Sequence, residues 1–142
     1  MFEAIAAGTF GALVMMPPGL VFRALEMRVG HYGPKFASLY LDNPGQPELF
    51  LQHLVLGWIS ALPLCALALR DAPVSGVLAI GAAYGVAYYI LLNSLALPLY
   101  FGDPLPWQLG IAVIIPSLVT HIVFGAAVAL GIYYLRSRWH TA

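Results

Sequence analysis

Four long apolar stretches, near residues 2–22, 49–69, 75–99 and 116–136, are separated by segments that hold nearly all of the charged residues. Each is close to the ~20 residues a helix needs to cross hydrocarbon, and together they use up most of a 142-residue chain. Only 8% of the residues are charged, against ~25% in an ordinary soluble domain, so the lipid bilayer is the expected surrounding. Lys+Arg and Asp+Glu number 6 each, which leaves no basic field for nucleic acid and no polybasic tail for anionic headgroups. The first stretch has Glu3 and no positive residue at its start, so it is read as a helix that stays in place rather than as a cleaved leader. A lone Cys65 rules out a disulfide within one chain and a cysteine-based metal motif, and no metal site is expected.

A repeat organises these stretches. Gln52-His53-Leu54-Val55-Leu56-Gly57 lies over Thr120-His121-Ile122-Val123-Phe124-Gly125. The same offset places Ala61 over Ala129, Leu62 over Leu130, Leu67 over Leu135, Arg70 over Arg138 and, upstream, Gly8 over Gly76. The chain therefore reads as one transmembrane domain of two halves, 1–70 and 71–142, each a helical hairpin. The fold class expected is an all-α integral membrane four-helix bundle built from two parallel helical-hairpin repeats. An axis along the membrane normal would relate them and put His53 and His121 at one depth.

Along the first span, Ala7 with Gly11 and Gly8 with Ala12 are small-residue pairs four apart, the spacing that lets helices approach closely in lipid. Pro17-Pro18-Gly19 predicts a kink, and Arg23 and Glu26, three apart, predict an ion pair if the helix runs on toward Val29. Residues 30–47 read as a long loop with Tyr32, Phe36, Leu39 and Tyr40 at headgroup level, or as a lid over the helices. The turn Arg70-Asp71-Ala72-Pro73 makes the second and third spans antiparallel. Gly81 and Gly85 form a GxxxG face, and Asn93 and Ser94 are polar groups that need partners across the bundle. Pro116 is expected to break the last apolar run, leaving 108–115 as a tilted or interfacial extension. Arg70, Arg136 and Arg138 on one side balance Arg23, Arg28 and Lys35 on the other; the acidic residues tilt the choice toward cytoplasmic termini, both on one side.

The two histidines carry four competing readings. Each imidazole bonds a neighbouring helix and fixes packing, or the pair senses pH, or His53 and His121 are cofactor-binding residues that ligate haem, or, weakest, they join a zinc site that lacks further ligands. Glycine follows each histidine by four residues, which bares the backbone one turn below, where a flat or bulky group is expected to pack. No nucleophile, base and orienting group are spaced as a catalytic set, and no paired carboxylates occur, so no enzymatic activity is expected. Tyr84, Tyr88 and Tyr89 read as helix packing before they read as a proton path, and His31 and His140 as solvated residues of a loop and the tail.

Gln52-His53-Leu54-Val55, Gly76, Pro98, Leu105-Pro106-Trp107, His121 and Leu135-Arg136-Ser137-Arg138 resemble the YagU-like inner-membrane proteins of bacteria. That resemblance implies a bacterial inner membrane and a link to acid resistance. Such proteins carry an acidic residue one turn before the second histidine, where this chain has Ser117, so an acid–histidine pair is not implied here. The functions expected are a small multi-pass protein tied to pH or envelope stress, with a homo-oligomeric pore as one form of it; an accessory subunit bound to other membrane-protein subunits; or a bis-histidine haem protein.

Overall fold

The computed structural model describes residues 1–67, 69 and 72–138. Every regular element among them is helical: α1 (Phe2–Val14), α2 (Met16–Ala24), α3 (Tyr32–Ala37), α4 (Gln46–Cys65), α5 (Val74–Tyr88), a π-helical segment (Tyr89–Ala96), α6 (Leu97–Phe101), α7 (Pro106–Leu109) and α8 (Ile111–Arg138). Four helical stretches are long and apolar enough to cross a membrane: Phe2–Ala24, Gln46–Cys65, Val74–Phe101 and Ile111–Ser137. Only 22–33% of the most apolar window in each is buried inside the protein, so most of the apolar surface points outward. A soluble bundle does the reverse. The chain is an all-helical membrane protein whose outer surface suits lipid.

Backbone contacts link the spans in the order α4–α1–α8–α5, α4 and α5 also meet through side chains, and the small residues decide the closest approaches. On α1, Gly8 and Ala12 face α4: a Cβ placed on Gly57 would lie 3.0 Å from the Gly8 carbonyl oxygen and 3.1 Å from the Ala12 Cβ. One residue round the same helix, Ala7 and Gly11 face α8, where Ala7 Cβ meets Gly131 and Gly11 meets Phe124 and Val128. The two small-residue pairs read in the sequence thus serve two different neighbours. Gly81 and Gly85 of α5 press on Gly125 of α8 in the same way, backbone on backbone. What packs below each histidine is a helix backbone, not the flat or bulky group expected. Gly57 and Gly125 each seat between two small residues four apart, yet in this packing Gly8 corresponds to Gly81. Gly76, its partner in the sequence alignment, sits instead against Ala72 and Pro73 at the start of α5.

Prolines behave according to their distance from a helix start. Pro47 lies in the first turn of α4, which begins after the extended Gly45, so the span starts and ends earlier than the apolar run suggested. The kink expected at Pro17-Pro18 is present as a break at Met15 between α1 and α2. Pro116, by contrast, does not break α8, which is continuous from Ile111. The carbonyl deprived of a donor by Pro116 belongs to Ala112 in the first turn, so little of the ladder is lost. Residues 111–115 accordingly belong to the span, while 106–109 form α7 and Gly110, with φ +95°, makes the turn between. α2 ends at Ala24, short of Val29, and Glu26 takes a left-handed φ of 58°; Arg23 and Glu26 do not share a helix face or form the expected ion pair.

Ion pairs close the two ends. At one end Arg136 of α8 holds Glu3 of α1 and the carbonyl oxygens of Cys65 and Leu67. At the other, Lys35 Nζ donates to both Asp103 carboxylate oxygens at 2.6 Å, and Tyr32 stacks on Phe101 with ring centres 6.0 Å apart. Gln52 fixes the same segment to α4, donating to the Gly33 carbonyl and accepting from Tyr40. The 30–47 segment is therefore docked on the ends of α4 and α6. Arg70, Asp71 and His140 lie outside the described residues, as does the side chain of Arg138.

The docking has a pH dependence of defined sign. The Lys35 ammonium, hydrogen-bonded to Asp103, holds that carboxyl below its ordinary range. A carboxyl lowered on docking contributes stability that is complete above the free value near ~4 and is lost as the pH falls through the lowered one. Contacts between Tyr32 and Phe101, followed by NMR, should persist at about pH 5 and disappear only in acid below ~4. Asp103→Asn should loosen the segment at neutral pH; a Tyr32 signal unchanged in that variant would show that the ion pair does not hold it.

Candidate functional site

The polar groups inside the bundle come from four elements. α4 supplies His53 and Ser60, α5 supplies Tyr84 and Tyr88, the π-helical segment supplies Tyr89, Asn93 and Ser94, and α8 supplies Ser117, Thr120 and His121. The π-helical segment has a local cause: Pro98, buried one turn on, has no N–H and its ring clashes with the carbonyl four residues back. The ladder widens upstream, and the Leu97 N–H reaches the Leu92 carbonyl five residues back.

His53 Nε2 lies 3.0 Å from the Ala12 carbonyl oxygen, to which it donates, pinning α4 to α1. His121 is held on both ring nitrogens. Nδ1 lies 2.6 Å from the Ser117 carbonyl oxygen, which can only accept, so this nitrogen carries the proton. Nε2 lies 2.8 Å from the Asn93 side-chain nitrogen, which donates to it. These partners define a neutral ring with a fixed tautomer. Tyr88 stacks on the ring with centres 5.6 Å apart and planes at 20°, and Tyr89 lies 6.0 Å away at a tilt. Among the described residues no acidic or basic side chain bonds the imidazole.

Tyr88 continues the connection to α4. Its hydroxyl accepts from Ser60 Oγ at 2.8 Å, and Tyr84 donates to the Ser60 carbonyl. α4 and α5 meet through these side chains across a groove of about 430 Å³, walled by Leu56, Ile59, Pro63, Ala87 and Leu91. The tyrosines read as packing in the sequence do pack, and two of them also bond the second span.

Thus the structure gives each of the two predicted histidines its own partner and brings Asn93 to one of them. Haem ligation by both would require His121 to leave a bond it makes now, since both of its ring nitrogens are engaged. Among the described residues no three His, Cys, Asp or Glu side chains gather where a metal ion fits. Sequence reasoning missed the pairing of Asn93 with His121, although the need of an intramembrane amide for a partner pointed toward it. It missed the two end clamps as well.

No family model, curated protein or solved structure matches the chain.

Proposed function

We propose that this is a non-enzymatic multi-pass membrane protein that responds to pH through His121. The observation that carries the reading is the bond from Asn93 to Nε2. A proton added at Nε2 turns the acceptor into a donor facing another donor, while Nδ1 remains committed to Ser117. The clash is relieved only if the Asn93 amide turns over to present its oxygen or the helices move apart. The His121 carbonyl is also the atom against which Gly85 packs, so movement at this residue acts directly on the closest helix contact in the bundle. His53 differs, because donation from its Nε2 to a carbonyl survives protonation of its other nitrogen.

A link to acid or envelope stress in a bacterial inner membrane, with both termini cytoplasmic, draws its support from the YagU-like resemblance and from the acidic residues gathered at the far end. Acid opposes a bond that only the folded bundle makes, so stability should fall with pH. The folded-to-unfolded ratio should drop by up to about tenfold per pH unit on the acid side of the titration. Melting in detergent, scanned from about pH 8 to 5 where imidazole titrates, should show this step in the native protein and in His53→Gln. His121→Gln should flatten it. A native protein whose melting is independent of pH over that range overturns the reading.

A further inference from the structure

Two hydroxyls in the π-helical segment have no protein partner. Tyr89 is 5% exposed and Ser94 is 2% exposed, and neither Tyr89 Oη nor Ser94 Oγ meets a donor or acceptor among the described residues. Leaving such a group unpaired costs about 1–3 kcal/mol, so each of the two hydroxyls calls for a partner. Pro98 also removes a backbone donor from this segment. The Leu97 N–H serves the Leu92 carbonyl, and the next donor in that register belongs to Pro98, which has none, so the Asn93 carbonyl has no donor from that position.

These groups share a side of the helix. In a ladder that closes every five residues, Tyr89 and Ser94 fall one turn apart on one face. That face is turned to α8, because the Tyr89 ring lies against His121 and Asn93, next to Ser94, bonds the same imidazole. A site with two hydroxyls and a carbonyl, and without an anionic group, suits neither a metal cation nor an anion. Its donors and acceptor match the two to four hydrogen bonds that a buried water makes.

We infer that Tyr89 Oη, Ser94 Oγ and the Asn93 carbonyl form an internal water-binding site between the π-helical segment and α8. The site is independent of any titration of His121: it stands if the bundle ignores pH. It accounts for two hydroxyls at positions where phenylalanine and alanine would fill the same space.

The test compares Tyr89→Phe, Ser94→Ala and the double variant, all near-isosteric and apolar. A hydroxyl that merely lacks a partner is better removed, so without a water each variant melts at the same temperature or higher. With a shared water, each single variant should melt a few degrees lower, and the double variant little lower than the worse single one, because the water is lost once. Neutral or raised melting, or losses that simply add, overturn the site. In the native protein, NMR cross-relaxation from a long-lived water to the Ser94 amide proton should be seen, and it should vanish in Ser94→Ala. Its absence from the native protein likewise overturns the proposal.

Discussion

Gly125→Ala should be one of the two most damaging single-methyl changes in the α5–α8 contact, lowering stability by about 3 kcal/mol or more. The added Cβ runs into the Gly81 carbonyl oxygen and the Gly85 backbone, and those atoms cannot swing aside as a side-chain tip would. Relief requires α5 and α8 to separate along their whole contact, which also pulls Asn93 from His121. Gly85→Ala meets the His121 carbonyl and should cost as much. Gly19 provides the control: its new Cβ would find only Thr120 Cγ2 at 3.8 Å, an ordinary contact, beside a helix break already present. Melting in detergent should therefore separate the first two variants widely from Gly19→Ala. Similar losses in all three would show that α5 and α8 are not closely packed in solution.

That contact was legible in the sequence because close approach leaves a mark in the residue types themselves. Gly81 with Gly85 and Gly8 with Ala12 bring another backbone near, while Gly11, beside Ala7, makes room for the Phe124 and Val128 side chains. Span number was legible for the same kind of reason, since hydrocarbon thickness is a fixed ruler. Boundaries were less so. The early start of α4 was written in Gly45 and Pro47, whereas the run of apolar residues past Cys65 concealed its end. Pro116 was misread because the effect of a proline depends on how far upstream the helix begins, and Gly110 sets that point. The π-helical segment was written only as Pro98 following Asn93, a signal that needs the ladder to interpret. The partner of His121 could be narrowed to a neighbouring helix but not to Asn93, since nothing local encodes which helix lies beside which. Long-range charge pairs such as Glu3 with Arg136 leave no local pattern at all.

Arg136→Ala should be the second large loss, about 2 kcal/mol, because one guanidinium joins three helices. Its Nε lies 3.2 Å from both Glu3 carboxylate oxygens and one terminal nitrogen lies 2.8 Å from Oε2. The two terminal nitrogens also donate to the Cys65 carbonyl at 2.6 Å and the Leu67 carbonyl at 2.7 Å. The Cys65 carbonyl ends α4 and Leu67 lies just beyond it; a helix end has acceptors and no donors of its own, and a cation there complements the negative pole of the helix dipole. Glu3 does the converse in the first turn of α1. Lysine cannot replace this fork, since a single ammonium cannot span two carbonyls and a carboxylate in the same plane. Glu3→Gln removes the charge from one side but leaves both carbonyl bonds. The order of damage should be Arg136→Ala, then Arg136→Lys, then Glu3→Gln, read from melting in detergent and from the rate at which a maleimide labels the half-buried Cys65 thiol beside the clamp. Labelling of Cys65 at the native rate in Arg136→Ala would mean that the end of α4 is held by its buried Leu64 and Ala61 alone, and that the clamp is a surface pair of little consequence.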